Sequence, residues 1–177
     1  MMLAPPIDAA TCDKVVESVW SALRGIPDPE IPVISIVELG VVRSVELTSD
    51  GLRVCITPTY SGCPAMSTIE ADIRSALTGL GLSAFSIETR LAPAWTTDWM
   101  PPDAKARLRA FGIAPPGSVE PRVDVSGISP LRRARSVACP HCASTSTSLI
   151  AQFGSTACKA LYRCTSCGEP FDYFKPF

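Results

Sequence analysis

The chain contains a single histidine, and it lies between two cysteines in Cys139-Pro140-His141-Cys142. A carboxylate-bridged di-iron oxygenase needs two Glu-x-x-His pairs, so this chain cannot form that centre by itself. A Ser–His–acid triad is disfavoured because the one histidine lies inside a cysteine pair. The sequence also lacks a G-x-G-x-x-G fingerprint, a Walker loop and a G-x-S-x-G motif. We therefore expect no catalytic residues and predict that the chain is not an enzyme.

An excess of charge and a long apolar run are also missing. The formal net charge is -1, which gives no general basic field for nucleic acid. No apolar stretch approaches the roughly 20 residues that cross a bilayer, and residues 1–10 lack the pattern of a signal peptide. The eight cysteines therefore indicate a reducing compartment, where metal binding is favoured over disulfides. We expect a cytoplasmic protein that binds neither membrane nor nucleic acid.

Hydrophobic periodicity predicts a small α/β domain, since the 177 residues suffice for one domain and a smaller second one. The predicted order is helix, strand, strand, helix, strand, which gives a small mixed sheet covered by helices. The two central strands read as a hairpin through Ser49-Asp50-Gly51. The predicted divisions are an α/β domain over residues 1–112, a Pro/Gly/Arg linker over 113–137 and a smaller cysteine-containing domain over 138–177.

Cys63 follows the second strand in the segment of residues 57–65, which we call the Cys63 loop. Pro64 suits the first position of a helix, which would place Cys63 at the N-cap. Backbone N–H groups and the helix dipole would then lower the pKa of the Cys63 thiol. That setting suits a reactive or metal-binding sulfur. The alternative is an inert buried cysteine beside a tight turn.

Two carboxylates, Asp28 and Glu30, lie in residues 26–32, where Pro27, Pro29 and Pro32 enforce an extended path. We call this segment the acidic loop. A stiff loop of this kind can direct oxygen ligands or proton acceptors at a site. A solvated turn is the simpler interpretation.

Two C-x-x-C motifs near the end of the sequence predict a metal site with four thiolate ligands: Cys139, Cys142, Cys164 and Cys167. The 21 residues between the motifs can form a hairpin that brings them together. Four thiolates in a tetrahedron favour zinc, with iron as the competitor. Because such a site has no open position, we expect it to be structural. Cys158 lies between the motifs as either a second reactive thiol or hairpin filler.

Three motifs resemble the SufT-like family of metal–sulfur cluster assembly domains over residues 12–92: Asp28-Pro29-Glu30-Ile31-Pro32, Ile36-Val37-Glu38-Leu39-Gly40 and Gly62-Cys63-Pro64. The segment Trp95-Thr96-Thr97-Asp98-Trp99 and the two C-x-x-C motifs extend the match over nearly the whole chain. In this combination the chain resembles the D-subunit family of bacterial phenylacetyl-CoA epoxidase systems.

The resemblance implies an iron–sulfur assembly fold followed by a zinc ribbon. It implies an accessory protein of aerobic phenylacetate degradation that assembles or maintains the iron or iron–sulfur centre of its oxygenase and reductase partners. Cys63 would be a transient ligand of iron or a labile cluster, and Asp28 and Glu30 match the acidic motif. Since clusters usually take four thiolates, a homodimer or a partner would supply the rest.

Two other interpretations remain open. In the first, the chain is a non-catalytic scaffold or docking subunit of the epoxidase complex and holds no labile metal. In the second, it is a redox protein that uses Cys63 with Cys158, or a rubredoxin-like iron in the ribbon.

Overall fold

The computed structural model describes residues 9–117 and 137–177, with side chains from residue 12 onward. It forms two compact units, Met1–Trp95 and Thr96–Phe177. In the described ranges no helix is long and apolar enough to span a membrane. The same ranges contain three α-helices and seven strands: α1 (Ala9–Arg24), β1 (Val42–Thr48), β2 (Gly51–Ile56), α2 (Met66–Gly79), β3 (Phe85–Thr89), α3 (Pro102–Ala110), β4 (Ile113–Ala114), β5 (Thr147–Ala151), β6 (Lys159–Cys164) and β7 (Pro170–Phe174).

The sheet of the first unit is mixed and has the order β1-β2-β3. β1 and β2 form an antiparallel hairpin in which Val45 pairs with Val54. β2 and β3 run parallel, so α2 serves as the crossover between them. This arrangement confirms the predicted element order and the small mixed sheet.

The core of the first unit follows from the apolar spacing of its elements. Leu52, Val54 and Ile56 alternate along β2 and are buried, as a strand with one inward face requires. α1, whose Val19 and Leu23 are fully buried, packs against β1 and α2. Each such side chain contributes about 1.5–3 kcal/mol through removal from water.

A single helical turn precedes the sheet and accounts for the Ile36 to Gly40 motif. The N–H of Ser35 donates to Oε2 of Glu38 at 2.9 Å, and the N–H of Glu38 donates to Oγ of Ser35 at 3.2 Å. These reciprocal bonds form a capping box. Gly40, with φ 81°, ends the turn in the left-handed region that favours glycine. The indole N–H of buried Trp95 donates to the carbonyl of Leu39 at 2.9 Å.

The second unit has a four-stranded sheet in the order β4-β7-β6-β5. β6 is antiparallel to both β5 and β7, whereas β4 runs parallel to β7. Its described core is small and includes two of the motif cysteines: Ala114, Val137, Cys139, Ala160, Cys164, Phe171 and Tyr173.

The division between the units falls earlier than the predicted boundary at residue 112. Ile113 and Ala114 pair with Asp172 and Tyr173 of β7, so this start of the predicted 113–137 linker belongs to the ribbon sheet. α3 packs against β4 and joins the same unit. Residues 118–136 of the predicted linker lie outside the described residues.

The tight β1–β2 hairpin gives a stability prediction at Gly51, which has φ +123°. A Cβ at Gly51 would lie 2.4 Å from the carbonyl oxygen of Ala84, which accepts the N–H of Leu52. Because that obstacle is backbone, we expect Gly51→Ala to lower the free energy of unfolding by about 2 kcal/mol or more in urea denaturation. Gly79→Ala is the control, since no atom lies within 4 Å of its added Cβ. A Gly51→Ala protein as stable as the control would contradict this account.

Candidate functional site

The structure brings the four thiols of the C-x-x-C motifs together. The sulfur atoms of Cys139, Cys142, Cys164 and Cys167 all lie within 4.8 Å of one another. Two of these separations are 3.8 Å, between Cys139 and Cys167, and 3.5 Å, between Cys142 and Cys164. A tetrahedron with zinc–sulfur bonds of about 2.3 Å has edges of about 3.8 Å, so this donor set fits such an ion.

Each motif is closed by a tight backbone turn. The N–H of Ala143 donates to the carbonyl of Cys139 at 2.9 Å, and the N–H of Gly168 donates to that of Cys164 at 3.0 Å. Both donors have positive φ angles, 60° at Ala143 and 83° at Gly168. The N–H of Cys167 also donates to the sulfur of Cys164, and this holds the pKa of that thiol at about 6. A metal ligand benefits from such a shift because the thiolate is the binding form.

All four donors of this cluster come from the chain, so a four-coordinate ion there has no open position for substrate. Cys139 and Cys164 are buried, whereas Cys142 and Cys167 are exposed. A hydrogen bond of 2.8 Å between the hydroxyls of Ser144 and Ser166 links the two turns. The geometry therefore suits a structural ion.

Cys63 lies in a turn before α2 and not at its N-cap, so that prediction is wrong. The Cys63 N–H donates to the carbonyl of Tyr60 at 3.1 Å. The N-cap of α2 is Ala65. The N–H of Ile69 donates to the carbonyl of Ala65 at 2.9 Å, which starts the regular pattern. Turn bonds around Cys63 thus displace the helix start by two residues.

The expected low pKa of Cys63 is also wrong, because the pKa of this thiol is raised. Burial is the largest cause, since it disfavours the charged thiolate. The N–H of Ala65 and the hydroxyl of Thr59 donate to the sulfur and act in the opposite direction. The negative charges of Glu30 and Asp28 raise the pKa further. The thiol is therefore neutral near pH 7.

The acidic loop lies close enough to Cys63 for both carboxylates to act on its thiol. Asp28 is buried, and its Oδ1 accepts the N–H groups of Glu30 at 3.0 Å and Ile31 at 2.9 Å. These bonds form the turn of the loop and fix the backbone at Glu30. Asp28 thus has a structural role that the sequence interpretation did not assign, while Glu30 is only half-buried.

Sequence reasoning missed Thr59 as a member of this site. Its hydroxyl donates to the sulfur of Cys63, and the residue is buried. The available signal was a hydroxyl residue four positions before the cysteine in the same short loop.

Cys158 lies in the interior of the second unit. Its side chain is 4% exposed, and its sulfur lies 2.9 Å from the hydroxyl of Thr156. The neighbouring Lys159 pairs with Asp172 at 3.4 Å. This burial favours a packing role for Cys158 in the hairpin over a role as a second reactive thiol.

Two family models match separate parts of the chain. A model described as iron-sulfur cluster assembly protein matches residues 16–84, which contain the acidic loop, the Cys63 loop and α2. A model described as PaaD zinc beta ribbon domain matches residues 124–175, which contain all four clustered cysteines.

Relatives and a solved structure agree with this division. A protein of Escherichia coli (strain K12), named as the D subunit of a "Putative 1,2-phenylacetyl-CoA epoxidase", is 51% identical, over 90% of this chain and 92% of the relative. The Bacillus subtilis (strain 168) "Fe-S protein maturation auxiliary factor YitW" is 35% identical, over 54% of this chain and 95% of the relative. The crystal structure of a DUF59 domain from Bacillus anthracis covers 57% of this chain and 97% of that domain, with 25% identity and a TM-score of 0.53.

The two positive-φ turns of the cysteine cluster generate a paired prediction. Gly168→Ala adds a Cβ that meets no atom within 4 Å, so it causes no steric clash. Its only expected effect is left-handed backbone strain of about 1–2 kcal/mol. We expect it to lower the melting temperature of the metal-loaded protein and to speed zinc loss to a chelator. Ala143→Gly removes the same strain from the other turn and should leave both quantities unchanged or improved. A shift in the same direction in both variants would contradict an effect of backbone strain.

The carboxylates near Cys63 predict a shift in its titration. Glu30→Gln removes a negative charge, so the pKa of Cys63 should fall and its iodoacetamide alkylation near pH 8 should accelerate roughly twofold. Peptide mass spectrometry across a pH series measures the rate at Cys63 alone. Glu17→Gln is the control, since Glu17 pairs with Arg24 on the surface of α1. Equal Cys63 pKa values in both variants would show that Glu30 does not act on the thiol.

Proposed function

The chain belongs to the family of phenylacetyl-CoA epoxidase D subunits, and from this membership we propose that it is an accessory subunit, not an enzyme, in aerobic phenylacetate degradation. Its task is to assemble or maintain the iron or iron–sulfur centre of the epoxidase components. The oxygenase and reductase components are its partners. The maturation-factor name of the relative that matches the first unit supports this assignment.

The observation that carries the proposal is the placement of Cys63 beside two carboxylates. Their charges disfavour a bare thiolate, but they favour any cation that replaces the thiol proton. An incoming iron ion or cluster is the cargo of this site. On binding, a sulfur–iron bond forms and the thiol proton leaves to solvent.

Cys63 supplies only part of the ligand set that its cargo needs. Clusters usually take four thiolates, and the side chains that act on the Cys63 sulfur are carboxylates and a hydroxyl. The remaining ligands therefore come from the client component or from a second copy of the chain. Because Cys63 supplies only some of the ligands, the cargo can pass to a client that supplies the complete ligand set.

The zinc ribbon has a separate, structural role. Four thiolates at tetrahedral spacing would hold zinc and join the two C-x-x-C turns. The described core of this unit is small, so a bound ion supplies stability that apolar burial alone does not.

A docking subunit without labile metal is the second candidate function, and one feature favours it. Leu149, Ile150 and Phe153, on and just beyond the edge strand β5, are 46%, 53% and 66% exposed. Exposed apolar side chains at a sheet edge can receive another protein.

Substitution of Cys63 separates the two candidates. We expect Cys63→Ser, coexpressed with the epoxidase components, to reduce epoxidase activity and client iron content at least about tenfold, because serine is a poor ligand for iron and clusters. Cys12→Ser, which changes a half-buried thiol on α1, is the control and should retain both. Full activity with Cys63→Ser, together with stable copurification, would favour the docking subunit.

Metal and acid-labile sulfide analysis after anaerobic purification provides a second readout. We expect zinc near one per chain in the wild type and in Cys63→Ser, with substoichiometric iron in the wild type alone. Iron in the ribbon in place of zinc would overturn the structural zinc assignment without affecting the role of Cys63.

A further inference from the structure

A cleft of about 240 Å³ opens beside the Cys63 loop in the first unit. It lies where β2 and β3 end and where β1 begins. Ligands of open α/β sheets commonly bind outside the carboxyl ends of parallel strands. The side chains that could contact a ligand there are Arg43, Ser44, Glu46, Cys55, Thr57 and Arg90.

Charged side chains of both signs surround the Cys55 thiol in this cleft. The sulfur of Cys55 experiences the positive charges of Arg90 and Arg43 and the negative charges of Glu88 and Glu46. Glu88 forms ion pairs with two arginines, Arg90 at 3.2 Å and Arg53 at 3.0 Å. The lining residues of the cleft thus carry two guanidinium groups and one carboxylate, Glu46, and Glu88 beside them offsets part of the charge of Arg90.

Thr57 supplies an independent sign that something binds here. It is 2% exposed, and its hydroxyl oxygen makes no hydrogen bond with any part of the chain that the structure describes. A buried hydroxyl without a partner is destabilising, and functional sites are a common reason for its retention. Its backbone is fixed, because its N–H donates to the carbonyl of Val41 at 2.8 Å.

We propose that this cleft, which we call the anion cleft, binds a small metabolite through a carboxylate or phosphate group. The guanidinium groups of Arg43 and Arg90 match the planar oxygens of such a group. The volume is below the roughly 300 Å³ at which pockets for drug-sized ligands begin, so the ligand is a small acid. Glu46 favours a ligand that also carries a hydrogen-bond donor, such as a hydroxy acid.

The location links the anion cleft to the Cys63 loop. Thr57 lines the cleft and is also the first residue of the loop that carries Cys63. The proposal does not depend on the role of Cys63, since Cys63 is not among the residues that line the cleft.

Calorimetric titration with inorganic phosphate, L-malate and succinate, at constant ionic strength, tests the proposal on the full-length metal-loaded protein. We expect saturable binding of phosphate or malate, and weaker binding of succinate, which lacks the hydroxyl. Arg43→Gln and Arg90→Gln should each weaken binding about tenfold or more. Arg53→Gln is the matched control, because Arg53 pairs with the same Glu88 but does not line the cleft.

Phosphate binding alone would identify a phosphate ligand, and malate binding alone a hydroxycarboxylate; either result supports the proposal. The absence of saturable binding of all three anions would overturn it, as would equal losses in Arg53→Gln and the two cleft variants. Thr57→Val adds a readout that does not require the correct ligand class. It should raise the melting temperature of the ligand-free protein, because it removes the unpartnered hydroxyl, while it weakens anion binding. A lower melting temperature would contradict the assignment of Thr57.

Discussion

Parallel pairing of β2 and β3 is the constraint on which the first unit depends. Two parallel neighbours cannot be joined by a tight turn, so the chain must cross the sheet, and α2 makes that crossing. The crossing brings the end of both strands to one edge. The Cys63 loop leaves β2 there, and Arg90, whose N–H donates to the carbonyl of Ile56 at 2.8 Å, leaves β3 beside it. Both candidate sites of this unit arise from that one topological requirement.

The second unit is stabilised by a different set of interactions. The described core of its sheet is small and includes two cysteines of the C-x-x-C motifs. A second stabilising contact lies within the sheet, where buried Lys159 pairs with Asp172 across β6 and β7 at 3.4 Å. Burial of a charge is tolerated only with such a partner. Apolar packing, a paired charge and four clustered thiols that suit a metal ion together replace the larger core of an ordinary domain.

Features set by local sequence were predictable, and features set by distant contacts were not. The C-x-x-C spacing predicted that the four sulfur atoms come together, and Ser49-Asp50-Gly51 predicted the hairpin; the structure shows both arrangements. The helix start at Cys63 was misplaced because Pro64 is compatible with a turn as well as with a first helical position. The sign of the Cys63 pKa shift depends on burial and on the acidic loop, which lies more than 30 residues away in sequence. The pairing of β4 with β7 joins residues that are 59 positions apart in sequence, such as Ile113 and Asp172.

The raised pKa of Cys63 has a consequence for chemical durability. Oxidants such as peroxide attack the thiolate and convert it through sulfenic acid to irreversible sulfinic and sulfonic acids. A cysteine that stays protonated near pH 7 presents little thiolate to such attack. Burial of the sulfur, reinforced by the negative charges of Glu30 and Asp28, therefore protects Cys63 from oxidative damage near neutral pH.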